Sequence, residues 1–300
     1  MPKSTLKQDS AITISNEIIR SAQGLNLWEK RILMLAVSKI DSKVAIALGA
    51  GEVTLKVSDL VSLYKVNKDS AYQEAKKAAE GIMKRQIRLK PTDSDSRLIQ
   101  WVIESAYQQR EGRIQVELHP KLIPYLQALK MHFTSYKLSR VSGLQSVYSW
   151  RLFELLMQFK KTGLLTILID DFYHAMDAPE SLRANFSNLR NRVIEPAVKE
   201  IRAKDGLAVE WEALKAGRKV KALRFSFPTE PSTLAVEPLK TPVLEPKRKI
   251  DNHPEKTLSK KDALSRYTGA LNLAKLSNQA IDTLVSVQEL EAFKYYGLIE

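Results

Sequence analysis

Apolar residues recur at helical spacing at Trp28, Ile32, Leu35 and Ile40, just after Asn26 and Glu29, which form a capping box. This predicts a helix over 28–40. A loop with Gly49 and Gly51 leads to a short strand, Val53–Val57. Ser58 can cap a short helix ending near Lys65, and Ser70 with Gln73 makes a second capping box that opens a helix to about Lys84. The apolar stripe of that helix is Tyr72, Ala75, Ala79 and Ile82. Three extended runs follow, Gln86–Lys90, Leu98–Ala106 and Arg113–Leu118, separated by turn signals at Pro91–Ser96 and Gln109–Gly112. Pro120 then begins a short helix that fades near Lys130.

After a connection through Met131–Leu138 the same order returns. Val147–Phe159 reads as an amphipathic helix and Leu164–Ile169 as an apolar strand, after which Asp170 can cap a short helix through Met176. Ser181 caps a long helix reaching about Lys204, stopped by Gly206, and Leu207–Leu214 and Lys219–Phe227 form a hairpin around Lys215-Ala216-Gly217-Arg218. The two caps lie 12 residues apart in the first half, Ser58 to Ser70, and 11 apart in the second, Asp170 to Ser181. Helix, strand, short helix, longer helix and hairpin is the order of a helix-turn-helix with a wing. The expected fold is α+β, two tandem winged-helix domains related by internal duplication. Their limits are placed at 12–130 and 131–228, after a flexible N-terminus at 1–11.

Beyond Phe227 the character changes. Pro228, Pro231, Pro238, Pro242, Pro246 and Pro254 argue for an extended Pro-rich linker over 229–255. Helical patterning through Leu264, Tyr267, Leu271 and Leu284 then predicts a small helical C-terminal appendage over 256–300.

Charge sharpens this picture. The chain carries +13 overall, yet residues 229–300 hold ten basic and ten acidic residues, so the whole excess lies in 1–228, with 37 basic against 24 acidic. A localised basic excess favours a polyanionic partner, nucleic acid or an anionic membrane surface, with nucleic acid the favoured reading. With no cysteine there is no disulfide framework or thiolate zinc site, and the longest apolar run, Ile32–Val37, is far too short for a membrane span. The N-terminus shows no signal-peptide stretch, so a cytoplasmic protein without membrane attachment is expected.

Catalytic signatures are missing from the sequence. No two glycines have the spacing of a Walker A loop. The histidines, His119, His132, His174 and His253, are scattered singly, so Tyr148 has no paired-histidine metal site of the kind a rolling-circle nuclease needs. Asp170 and Asp171, after an apolar strand, could anchor Mg²⁺ in a primase or nuclease. Helix capping and helix-dipole complementarity explain the pair better, and the first half has Ser58-Asp59 in the same place. The expectation is no enzyme, no cofactor and no metal.

If Leu182, Phe186, Leu189 and Val193 face inward, Ala184, Ser187, Asn188 and Asn191 face outward, flanked by Arg183, Arg190 and Arg192, and no acidic residue lies between Ser181 and Ile194. Arginine suits guanine O6/N7 and asparagine suits adenine N6/N7, so Arg183, Ser187, Asn188, Arg190, Asn191 and Arg192 are candidate base readers. Pro196 should bend the helix beyond them. Lys215, Arg218, Lys219 and Lys221 on the wing are candidate phosphate contacts, as are Lys68, Gln73, Lys76 and Lys77 in the first unit. Tyr72 reads as core.

Three stretches carry a family resemblance. They are Leu27-Trp28-Glu29-Lys30-Arg31-Ile32-Leu33 running into Lys39-Ile40-Asp41-Ser42, then Tyr148-Ser149-Trp150-Arg151-Leu152-Phe153-Glu154-Leu155-Leu156, then Leu189-Arg190-Asn191-Arg192-Val193-Ile194-Glu195-Pro196-Ala197. The last leads to Gly217-Arg218-Lys219-Val220 and Arg224-Phe225-Ser226-Phe227. In this order the chain resembles, from Ile12 to Phe227, the initiator replication proteins of iteron plasmids. The resemblance implies monomer binding to directly repeated origin sites in duplex DNA. It also implies repression of the protein's own promoter as a dimer and recruitment of host replication initiator and helicase proteins. It places base reading at Asn185, Asn191 and Arg192. Alternatives are a winged-helix repressor without initiator activity, the Asp170/Asp171 enzyme, and an adaptor working through 255–300.

Overall fold

The computed structural model describes residues 10–40, 51–92, 95–126 and 132–229, with Tyr267, Phe293 and Tyr296. The Gly49 loop, the Pro-rich linker beyond Thr229 and the C-terminal helical segment lie outside the described residues, except that Tyr267 and Phe293 are helical and meet edge to face at 5.3 Å. Residues 1–234 form one compact unit and 235–300 another.

The chain enters through β1 (Ala11–Ser15) and α1 (Asn16–Arg20). Helix α2 (Leu27–Val37) begins at the expected capping box: Asn26 accepts from Glu29 N at 2.9 Å, and Glu29 accepts from Asn26 N at 2.8 Å. Strand β2 (Glu52–Lys56) turns Val53 and Leu55 inward. The helix-turn-helix follows as α3 (Val57–Tyr64) and α4 (Lys68–Ile82). Next come β3 (Gln86–Thr92), β4 (Asp95–Gln100), β5 (Val102–Gln108), β6 (Arg113–Leu118) and α5 (Ile123–Leu126). The second half runs β7 (Phe133–Lys137), α6 (Leu138–Val141), α7 (Val147–Met157), β8 (Leu164–Leu168) and α8 (Ile169–Ala175). It continues through α9 (Glu180–Arg183), α10 (Phe186–Leu189), a π turn at Arg190–Ile194, α11 (Glu195–Lys204), β9 (Glu210–Ala216) and β10 (Lys219–Ser226).

The two halves share one topology. In each, the strand before the helix-turn-helix pairs with the second wing strand, which pairs with the first: β2-β6-β5 and β8-β10-β9, all antiparallel. The wing turn of the first half needs a glycine, because Gly112 sits at φ +58 and a Cβ there would lie 2.7 Å from the Tyr72 ring. This contact also explains why Tyr72 is half-buried.

Several element-level expectations need correction. The side-chain caps expected at Ser58 and Asp170 are absent, since α3 and α8 start directly from strand ends at Lys56 and Leu168, whose extended backbone the sheet already holds. Helix α4 is capped by Asn67, whose Oδ1 accepts from both Asp69 N and Ser70 N, rather than by Ser70. The cap positions are then 11 residues apart in both halves, Lys56 to Asn67 and Leu168 to Pro179. The long helix expected from Ser181 is broken at Ala184-Asn185, because Asn185 is extended and caps α10 by accepting from Ser187 N at 2.8 Å. The bend expected at Pro196 takes the form of the π turn: Pro196 has no N–H to offer Arg192, and Glu195 N–H reaches back to Arg190 O.

The run Leu98–Ala106 is divided at Trp101, whose buried indole donates to Gln23 O at 3.0 Å and draws the chain inward. Met131–Leu138 is more than a connector. It contains β7, which pairs antiparallel with β1, Thr13 opposite Ser135. This pairing joins the corresponding first strands of the two halves, so α2 and α7 end up buried on all sides.

Charged residues are buried with them. Lys30 donates to Glu154 and to Gln23 Oε1, both at 2.8 Å, and Tyr136 donates to Glu154 at 2.6 Å. Arg31 of α2 reaches the Leu144 carbonyl at 3.1 Å. The matching Arg151 of α7 donates to the Ser21 and Ala175 carbonyls. Each half thus inserts one arginine into the backbone of the other.

Candidate nucleic-acid interface

Each helix-turn-helix pivots on a non-glycine residue in the left-handed region, Lys65 at φ 49 in the first half and Asp177 at φ 50 in the second. They occupy equivalent places, two residues before the N-cap of the following helix. In the second half, Phe186 at the start of α10 meets Trp211 of β9 with ring centroids 6.5 Å apart, and Trp211 meets Phe225 of β10 at the same distance. This aromatic row sets the helix against the wing and leaves a cavity of about 430 Å³ between them. Ser187, Arg190 and Lys215 share its walls, so two candidate base readers and one wing lysine come together there.

Of the candidate base readers, Arg183, Asn185, Ser187, Arg190, Asn191 and Arg192 are exposed and Asn188 is half-buried. They differ in how far they are already engaged. Arg183 donates to the Ala178 carbonyl at 2.7 Å, Arg190 pairs with Glu195 at 3.2 Å, and Asn185 spends its oxygen on the helix cap. Asn191 and Arg192 have no intramolecular partner among the described residues, and both lie in the π turn. The wider turn displaces them from the positions a regular α-helix would give.

Lys215, Arg218, Lys219 and Lys221 are all exposed around the wing turn. In the first half Lys68, Gln73, Lys76 and Lys77 are exposed on α4, with Lys77 paired to Glu74 at 3.1 Å. Asp170 and Asp171 occupy the first turn of α8, and among the described residues no group of three His, Cys, Asp or Glu converges as metal ligands. His119 instead accepts from Lys121 N at 3.1 Å, and His174 donates to the Arg88 carbonyl at 3.0 Å. Burial lowers the His174 pKa from its ordinary value.

Sequence reasoning missed the group that joins the two halves beside the second helix-turn-helix: Asp177, Arg88, Gly24 and His174. Asp177 accepts from Gly24 N at 2.8 Å and pairs with Arg88. The Asp-Ala-Pro turn signalled a break, but nothing local signalled partners 89 and 153 residues away.

Two helix-turn-helix units of one topology, each closed by a hairpin wing and presenting an exposed helix surface, define a tandem winged-helix protein. Residues 11–157 match the family described as "Initiator Replication protein, WH1" and residues 168–227 the one described as "Initiator Rep protein, WH2". Together these cover more than two thirds of the chain, which belongs to the initiator replication protein family. The chain is 26% identical over 215 residues to an uncharacterized 27.6 kDa protein of Escherichia coli, covering 68% of this chain and 90% of that one. It is 25% identical to the PI protein of Escherichia coli, covering 71% and 80%. It is 22% identical to a probable replication protein rep of Bifidobacterium longum, covering 76% and 78%. Its fold is that of the Pi initiator protein, solved in complex with iteron DNA, with a TM-score of 0.63 and 22% identity over 75% of this chain and 99% of that one.

Proposed function

We propose that this protein initiates plasmid replication by binding directly repeated origin sites in duplex DNA. The observation that carries the reading is the presence of both family winged-helix units in one chain, each with an exposed basic or amide-rich helix surface. The Pi initiator's complex with iteron DNA supplies the kind of site. The halves, 12–130 and 131–228, divide the work. In the second, Arg183, Asn185, Ser187, Asn188, Arg190, Asn191 and Arg192 read bases, while Lys215, Arg218, Lys219 and Lys221 hold phosphates. In the first, Lys68, Gln73, Lys76 and Lys77 hold phosphates, since a lysine-rich surface suits backbone contact better than base edges.

The role is binding and recruitment, with no catalytic residue assigned. A monomer occupies the direct repeat, a dimer occupies an inverted repeat at its own promoter and represses it, and bound protein recruits host initiator and helicase in the bacterial cytoplasm. The test is footprinting of the full chain on DNA flanking its own gene, joined to replication of a linked circle that cannot otherwise replicate. Protection of short direct repeats together with replication is expected. Protection without replication favours a repressor, and no preference for repeat over scrambled duplex overturns the reading.

A further inference from the structure

The carboxylate in the turn of the second helix-turn-helix takes its hydrogen bonds from the first half. One oxygen of Asp177 accepts from Gly24 N at 2.8 Å, and the other pairs with Arg88. Gly24 holds φ +63, a conformation glycine adopts without strain, which aims its N–H at the carboxylate. Arg88 is fixed in turn, since its own N–H and carbonyl bridge to Ala22 at 2.8 and 3.1 Å, and its carbonyl also receives His174.

Both donors lead directly to the first half's DNA-facing helix. Arg88 lies in β3, which begins just after α4 ends at Ile82. Gly24 precedes the Asn26 cap of α2, and the start of α2 is locked to the end of α4. Glu29 there pairs with Arg85 at 2.9 Å, and a Cβ on Gly81 would lie 2.4 Å from Glu29 Oε1. On the other side, Asp177 stands two residues from Pro179, where α9 begins. One path of fixed contacts therefore runs from one recognition surface to the other through this carboxylate, beside the joins made by the β1–β7 pairing and the buried Lys30–Glu154 pair.

We infer that Asp177, with Arg88 and Gly24, is a positioning element that sets the spacing and phase at which the two winged helices meet DNA, and so the length of repeat this protein accepts. The inference rests on the proposed DNA-binding function. Arg88 is 57% exposed and Asp177 22%, so screening keeps the pair's effect on stability small. Its effect is geometric. One inserted base pair moves the second half-site by about 3.4 Å and turns it by about 35°, from a helical repeat of ~10–10.5 base pairs per ~34–36 Å. With the clamp in place the helix-turn-helix side of the interface is held against that displacement; without it the halves stay joined by the β1–β7 pairing and the buried Lys30–Glu154 pair but can shift on that side.

The experiment uses the full chain and the direct repeat mapped by footprinting, alongside versions with one base pair added or removed between the stretches the two halves protect. Wild type should lose about tenfold or more in affinity on either altered spacing, the scale of a substituted base pair in a specific site. Asp177→Gly suits the left-handed turn and should fold while losing the clamp; its spacing penalty should fall to about threefold or less. Arg88→Ala, in the other half, should act in the same direction, and Asp177→Asn, which keeps an acceptor for Gly24, should fall between. Wild type indifferent to spacing overturns the inference, as do variants that keep the full penalty. Asp177→Gly protein that is folded yet fails at every spacing also overturns it, by placing the residue in recognition itself. Wild type that does not prefer the repeat over scrambled duplex refutes instead the DNA-binding reading on which the inference rests.

Discussion

Replacing Lys30 with methionine keeps the volume and apolar stem of the side chain and deletes a cation that is fully buried 2.8 Å from Glu154. Glu154 then keeps the Tyr136 hydroxyl at 2.6 Å but has lost its hydrogen-bonded cation in a site where it is 1% exposed, leaving the buried Arg151 as the remaining positive charge that acts on it. Breaking a buried pair by removing one partner costs about 3–5 kcal/mol. For an ordered region of this size that corresponds to a drop in Tm of roughly 6–20 °C, at about 2–4 °C per kcal/mol. Glu154→Leu should cost a similar amount by stranding Lys30. Removing both charges leaves only the Tyr136 hydroxyl and the Gln23 amide short of partners, at about 1–3 kcal/mol for each such group.

The double variant should therefore lie well above the sum of the singles, with a coupling energy of about 3 kcal/mol or more. Urea unfolding followed through the buried Trp101 and Trp150 measures all four proteins. Additivity within about 1 kcal/mol would refute the reasoning. A pH series adds an independent check. Burial lowers the Lys30 pKa from 10.5 to about 8 despite Glu154. Between those values the unfolded chain binds a proton that the folded protein does not, so the Lys30 contribution to stability rises with pH from about 8 to 10.5. The Lys30→Met protein should lack that slope.

If about 6–8 phosphates are neutralised, log affinity for the repeat should fall with log salt at a slope of roughly −5 to −7 in a filter-binding titration; a flat response would contradict duplex binding. Asn191→Ala and Arg192→Ala should each cost about 1–3 kcal/mol on the repeat and little on random duplex, measured by competition. Lys76→Ala should weaken both DNAs alike and flatten the salt slope by about one, with Lys77→Ala doing less because Glu74 already shares its charge. Pro196→Ala restores a backbone donor, and should relax the π turn and change base preference at the positions read by Asn191 and Arg192, visible in selection from randomised repeats. Monomer and dimer fractions from a sizing column should protect direct and inverted repeats respectively; identical footprints would rule out a switch of site with oligomeric state.

What the sequence by itself determined was local. The Asn26/Glu29 capping box, the strands β2 and β8, the glycine turn of each wing and the twofold recurrence of helix, strand, helices and hairpin all follow from interactions within a few residues. The outward face at Ser187, Arg190, Asn191 and Arg192 was legible for the same reason, because helical periodicity places it opposite Leu189 and Val193.

Tertiary structure alone decided the rest. An amphipathic reading sends Lys30, Arg31, Arg151 and Glu154 toward water, yet all four are buried, since the β1–β7 pairing brings α2 and α7 together and each gains a partner from the other half. Asp177 reads locally as a turn residue, and only the packing of β3 and the Gly24 loop beside it makes it a link between domains. Periodicity reports how a segment meets water or apolar neighbours. It holds no information about a hydrogen-bond partner more than a hundred residues away, which exists only once the two halves have packed.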